Sequence, residues 1–322
     1  GQVVGASLTA SNTYNHAFLW KQGSMVDLGT LGGNTSAAHA INDIGQVVGA
    51  YFTASGAIHA FLWTQTGGMT DLGTLGGSYC NAFGISSIGQ VVGESATVSG
   101  KYHAFLWTQQ GGMTDLGTLG GSQSAANAVN GIGQVVGRSH TTSDAEVRPF
   151  LWAQQGGMTD LGTLGGGIDE ALGINDRVQV VGASLPLSGG YYHAFLWTQQ
   201  GGMIDLGTLG GDYSGAFATN NFGLVVGESQ NGSNVFRATL WTVSLTPPTL
   251  QGQIQQAIAN IQNLIDTGIL NKGQGGALIA KLNAAIAQIS KGNKQAASSA
   301  LQAFISSVQA YMKAGTLSAT AG

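Results

Sequence analysis

The chain has 322 residues, 53 of them glycine, and only 8% are charged, with 11 Lys+Arg against 15 Asp+Glu for a formal charge of −4. So few cations form no basic surface for phosphates, which excludes nucleic acid as a partner. Hydrophobic residues at 43% exclude the disordered class, and no uncharged apolar run approaches the roughly 20 residues of a membrane-spanning helix.

Three segments recur along residues 1–244. Gly-Gln-Val-Val-Gly opens at Gly1, Gly45, Gly89 and Gly133 and returns altered at 178–182 and 223–227. His-Ala-Phe-Leu-Trp closes on Trp20, Trp63, Trp107 and Trp197, with variants ending at Trp152 and Trp241. Asp-Leu-Gly-Thr-Leu-Gly-Gly starts at Asp27, Asp71, Asp115, Asp160 and Asp205. The tryptophans hold one phase, and so do Met25, Met69, Met113, Met158 and Met203. A residue repeated at one phase is asked for by the architecture, so these are read as core. The single cysteine, Cys80, excludes an intrachain disulfide and multi-cysteine metal sites. It is read as a small buried hydrophobe.

Each period holds four short segments rich in Val, Ile, Phe and Trp, at 37–42, 46–50, 60–64 and 69–72 in the second copy. Gly, Asn and Asp bound them and suit tight turns at 42–45 and 65–68. Four strands in about 44 residues predict an all-β propeller of about six four-stranded blades. Adjacent valines then make sense, because strands buried on both faces need no alternation. The inventory is uneven. The Val-Val and Phe-Leu-Trp segments occur six times and the other two only five, which predicts incomplete terminal blades. The chain opens on Gly1 without a leader, as in a processed protein or a piece of a longer one.

A Pro-rich linker follows at 245–249, holding Pro247 and Pro248. Beyond it the period becomes helical. Ile254, Ile258, Ile261 and Ile265 share one face, then Leu278, Leu282, Ile286 and Ile289, then Leu301, Phe304, Ile305 and Val308. Gly268, Gly292 and Gly315 sit where each run should stop. Residues 250–322 are thus expected to form a small three-helix bundle. This tail holds five Lys and one Asp, while residues 1–244 hold six Lys or Arg and fourteen acids. Opposite charge on linked parts favours their docking on each other or head-to-tail contact between molecules.

The search for chemistry finds none. The repeated Asp lacks a second acid at ligand spacing and reads as a turn residue bonding backbone N–H groups. The position before Ala-Phe-Leu-Trp is His16, His59, His103 or His193 but also Arg148 or Arg237. A base or metal ligand does not tolerate Arg, whereas a structural N–H donor to a carbonyl or to the repeat Asp does. Glu94 and Glu228, at one repeat position, are read as rim residues, as are Asp144, Glu146, Asp169 and Glu170. Tyr14, Tyr51, Tyr102, Tyr191 and Tyr192 are placed in a variable loop, where rings stack on sugars. Tyr102, Tyr191 and Tyr192 are the ligand-binding candidates. No catalytic residue, metal site or cofactor is assigned.

The pattern Ala-x-x-Ile-Asn-x-x-Gly-Gln-Val-Val-Gly, His-Ala-Phe-Leu-Trp and Asp-Leu-Gly-Thr-Leu-Gly-Gly resembles the HAF repeat of extracellular bacterial proteins. That resemblance covers 1–244 and implies secretion and a propeller-like fold, with no reaction. The segments around Leu278, Lys291–Lys294, Ala303 and Gly315 resemble the FIMAH domain at the C-termini of secreted bacterial enzymes and surface proteins. In that family another helix follows, so the bundle at 250–322 is expected to lack its last helix. Together these readings point to a non-catalytic extracellular or cell-surface structural or adhesive protein. Its partners would be copies of itself, assembled into filaments, or surface glycans and proteins. The alternative is a glycan-binding module, and a more distant one a glycoside-acting enzyme.

Overall fold

A computed structural model describes residues 1–9, 13–243, 250–266 and 269–314. The chain divides into two compact bodies, Gly1–Val243 and Ser244–Gly322. The first is built of strands, and the described part of the second is helical. The expected linker at 245–249 and the segment 315–322 lie outside the described residues.

The β body contains six antiparallel modules in sequence. Module one is β1 (Gln2–Leu8), β2 (Asn15–Lys21) and β3 (Ser24–Gly29). Module two is β4 (Ser36–Ile41), β5 (Val47–Phe52), β6 (Ile58–Thr64) and β7 (Gly68–Asp71). Module three is β8 (Gly76–Ile85), β9 (Val91–Thr97), β10 (Tyr102–Thr108) and β11 (Gly112–Asp115). Module four is β12 (Gly120–Val129), β13 (Val135–Thr141), β14 (Val147–Ala153) and β15 (Gly157–Asp160). Module five is β16 (Gly165–Ile174), β17 (Val180–Pro186), β18 (His193–Thr198) and β19 (Gly202–Asp205). Module six is β20 (Gly210–Thr219), β21 (Leu224–Asn231) and β22 (Phe236–Thr242). Single parallel bridges, Ile58 to Tyr79 and Val147 to Ile168, merge modules two with three and four with five into eight-stranded sheets.

Successive modules pack face to face, and the Val-Val pair shows how. Val47 joins a cluster with Ala17, Leu19 and Leu28 of module one, while Val48 joins Cys80, Ala82, Val91 and Phe105 of module three. The first valine of each pair therefore faces the preceding module and the second the following one. The same division runs through the Phe-Leu-Trp strand. Phe61 and Trp63 face back, and Ala60 and Leu62 face forward. Clusters around Phe150 and Phe195 repeat the arrangement. The tryptophans and methionines lie at the margins of these clusters, half-buried where the sequence suggested a core, and Trp20 and Met25 are exposed.

The glycine that follows each valine pair is steric in origin. A Cβ on Gly93 would land on the Asn81 carbonyl of β8, and one on Gly49 or Gly137 on the carbonyl of Ala37 or Ala125. A bulge in the first strand presses backbone against that spot, as the register shift between Ala82 and Gly84 shows. The hairpin between the first two strands closes on the same backbone bond in modules two to six. Gly45 N–H donates to Asn42 O (3.0 Å), with Gly45 at φ 80°. Module five places Val178 there at φ 58°. A β-branched residue in the left-handed region is strained.

In the helical body, α1 (Leu250–Asp266), α2 (Lys272–Ser290) and α3 (Lys294–Lys313) enclose Ile254, Ile261, Leu270, Leu278, Leu282 and Ala285. Asn271 and Gln274 form a capping box that starts α2, and Gly292 at φ 71° follows its end. Leu301, Phe304 and Val308 of α3 pack on this core, whereas Ile305 is exposed instead of sharing their face.

Three substitutions check this packing by thermal or chemical denaturation. Gly93→Ala should destabilise by about 1–3 kcal/mol, the usual range for overpacking. Gly156→Ala, where a Cβ meets nothing within 4 Å, should be neutral. Val178→Gly should stabilise. Relief of left-handed strain of about 1–2 kcal/mol exceeds the added chain entropy of glycine.

Candidate functional site

Each module has two unlike ends. Turns such as 42–46 and 65–67 lie at one end and keep one length in modules two to five. The loops joining second to third strands lie at the other, and in modules two to six they differ from one another: 53–57, 98–101, 142–146, 187–192 and 232–235. The His and Asp of the repeat also lie at the variable end, because the third strand starts there and the fourth ends there.

These two side chains meet. His16, His59, His103 and His193 bring Nδ1 to 2.8–2.9 Å from Oδ2 of Asp27, Asp71, Asp115 and Asp205. Oδ1 of each Asp accepts the N–H of the glycine two residues on, as in Asp71 to Gly73 (2.8 Å), and Asp160 to Gly162 matches it. Burial of Asp71 raises its pKa. The Gly73 N–H, the His59 hydrogen bond and charge, and the Tyr51 hydroxyl together outweigh burial, so the carboxyl sits below its usual value. Asp27 behaves likewise through His16 and Gly29.

A second set of polar contacts ties module to module. Ala17 N–H donates to Ser36 Oγ (2.9 Å), and that hydroxyl donates to Gly29 O (2.6 Å), both across the first interface. Ser124 makes the same pair of bonds to Ala104 and Gly117, and Ser214 to Ala194 and Gly207. At the opposite end Asn42 Nδ2 donates to Ser86 O (3.0 Å), Asn130 to Asn175 O (3.2 Å) and Asn175 to Asn220 O (2.7 Å). Sequence reasoning passed over these serines. Their signal was the recurrence of Ser36, Ser124 and Ser214 in one column.

Two modules break that column. Cys80 replaces the serine in module three. It is buried, and its thiol is pushed up to about 12 by burial, against hydrogen bonds from Ser95 and Ala60. Asp169 replaces it in module five, and there Pro149 stands where the donating alanine belongs. Proline has no N–H to give. Asp169 is buried rather than at the rim as the sequence suggested. Its Oδ1 accepts from Leu185 N–H (2.7 Å), while Oδ2 has no partner among the described residues. Burial raises its pKa, opposed by Ser184, Leu185 and the charge of Arg148.

Four charged residues that depart from the repeat lie around this break. Arg138 Nη1 lies 2.6 Å from Glu170 Oε1, which also accepts from Asn127 Nδ2 (2.8 Å). Arg148, in the histidine position, pairs with Glu146 (2.8 Å) instead of the repeat Asp. This patch, on β12, β13, β14 and β16, is the most differentiated part of the β body.

The remaining candidates are spread out. Glu94 accepts from the Tyr79 hydroxyl (3.1 Å), and Tyr79 stacks edge-on with Tyr102 at 5.2 Å. Glu228 belongs to module six, beside Tyr213. Tyr191 is 60% exposed and Tyr192 half-buried in the loop before β18. Tyr51 is buried in β5 with its hydroxyl toward Asp71 and its pKa raised to about 12, by burial first and then by that carboxylate. It is no loop residue. Among the described residues no three His, Cys, Asp or Glu side chains gather to hold a metal. A depression of about 400 Å³ lies away from this chemistry, lined by Gly1, Gln2, Lys21, Gln22 and Ile41–Asp43.

No family model matches the chain, and no curated protein does. Solved structures with some likeness include TolB from Acinetobacter baumannii, 11% identical over 74% of this chain and 63% of that one, with a TM-score of 0.47. A puromycin hydrolase is 13% identical over 70% of this chain and 40% of its own length, TM-score 0.46. AofleA from Arthrobotrys oligospora is 10% identical over 74% and 82%, TM-score 0.38. The chain thus spans less than two thirds of the first two.

Two predictions follow from the site. A carboxyl with a lowered folded-state pKa adds stability above its unfolded value of about 3.9 and loses it as pH falls through the folded value. The melting temperature of the chain should therefore drop on acidification below about pH 4, and Asp71→Asn should shrink that drop. Asp169 has the opposite sign, so its charged form weakens the fold at neutral pH. Pro149→Ala with Asp169→Ser should restore the missing pair of bonds and raise the melting temperature at pH 7. A double-mutant cycle should show positive coupling.

Proposed function

We propose that the chain is a non-catalytic extracellular structural or adhesive protein whose modules are the blades of a propeller-like array. One observation carries this reading. The repeated polar side chains, His with Asp, Ser and Asn, are spent on holding strands and modules together, while the loops that differ between modules gather at one end. Such a body is a scaffold presenting a changeable rim, where binding residues belong. The HAF and FIMAH resemblances support placement outside the cell. A glycan-binding module is the second reading, favoured by the exposure of Tyr191 beside Tyr192 in the longest of these loops.

The test is adhesion of the purified chain to bacterial surfaces and to a glycan panel, with turnover of glycoside substrates followed in parallel. Adhesion without turnover is expected. Loss of glycan binding in Tyr191→Ala and Tyr192→Ala with adhesion otherwise intact selects the second reading. Turnover abolished by Glu94→Gln or Glu228→Gln overturns both.

A further inference from the structure

The two faces of a module are chemically distinct, and the β body repeats their contact between each neighbouring pair. The backward face carries the Val47, Phe61, Trp63 and Met69 positions, and the forward face carries Val48, Ala60, Leu62 and Leu72. Inside the array both faces are shut away from water. Val47, Val91, Val135 and Val180 of the backward set are 0% exposed, as are Val48, Val92, Val136 and Val181 of the forward set.

Within the described residues of the β body, modules one and six each leave one face uncovered, and not the same one. In module one the backward positions are open: Val3 is 54% exposed and Met25 57%, with Trp20 also in solvent. Its forward residues Ala17 and Leu19 are buried against module two. In module six the forward positions are open, with Val226 at 46% and Leu240 at 58%. Its backward residues Ala216 and Val225 are buried. Among the described residues no strand pairing joins module six to module one.

We infer that these two faces bind each other between molecules, so that module six of one copy packs on module one of a second copy of this chain. The internal interfaces show what covers each face, because a forward face is covered by a backward face wherever the chain supplies one. Val226, Ala238 and Leu240 hold the places of Val48, Ala60 and Leu62, and Val3, Phe18, Trp20 and Met25 those of Val47, Phe61, Trp63 and Met69. The driving force is the burial of apolar surface that the internal contacts already use. Because the paired surfaces differ, the contact is heterologous. Each added copy leaves one face of each kind free, and growth continues as a filament unless the rotation closes a ring. This deepens the scaffold reading by naming the partner, and adhesion and assembly are measured separately, so either can fail alone.

Sedimentation velocity of the 322-residue chain over a concentration series tests it. The mass is expected to rise with concentration past that of a dimer. Val3→Lys with Met25→Lys, and Val226→Lys with Leu240→Lys, should each stay monomeric with unchanged circular dichroism, since these side chains already meet solvent. Mixed in equal amounts, the two variants should form a dimer and nothing larger, because each retains the face the other lacks. If a double variant loses its strand signal, Met25→Lys and Leu240→Lys alone give the same readout. A wild-type chain at monomer mass up to its solubility limit overturns the inference, whether or not modules one and six cross-link within it. So do variants that associate as the wild type does.

Discussion

Sheets stacked on both faces exchange almost no backbone hydrogen bonds with their neighbours, and the β body is organised around that shortage. Apolar contact supplies attraction but little direction. Direction comes from the buried serines and asparagines that reach across each gap. Ser36, Ser124 and Ser214 each accept one backbone N–H and donate to one carbonyl, so a fully buried hydroxyl is left with nothing unmet. Asn42, Asn130 and Asn175 do the same work at the far end. Ties at both ends of an apolar interface fix its register.

This explains why the boundary between modules four and five is the odd one. Pro149 removes the donor, Asp169 removes the hydroxyl proton, and Val178 occupies a turn position built for glycine. Arg148 meanwhile leaves the repeat aspartate for Glu146, and Arg138 bridges to Glu170 from the module before. The Arg138–Glu170 pair crosses the boundary where the neutral ties are lost. Violations of a local rule tend to concentrate where something else is being served, and none of the other boundaries collects so many.

Much of this was legible in the sequence because repetition averages over local noise. The recurring Val-Val, Phe-Leu-Trp and Met segments fall on second, third and fourth strands, and the helical period at Ile254 and Leu278 falls on helices. Burial was harder to read. Trp20 and Trp63 share a phase yet differ in exposure, because phase reports the face and not whether a neighbour covers it. Cys80 and Asp169 were judged alone, as a small hydrophobe and a rim acid, when their meaning lies in the serine column they interrupt. Tyr51 looked like a loop residue because strand β5 runs further than its alternation suggested. The His–Asp pairs were within reach of sequence, since donor and acceptor recur together, whereas the serine bonds between modules join residues about twenty positions apart in plain Ala and Ser.

Each module of the β body touches chiefly the one before and the one after it. Stability in such an array is close to a sum of module terms and nearest-neighbour terms. Loss of structure should then start at the outermost modules, which have one supported side, and move inward like an unzipping row. The same locality makes the array tolerant of changes in length. Removing one whole period brings a forward face against a backward face of the same design, so the number of modules is free to drift while the packing rule stays fixed.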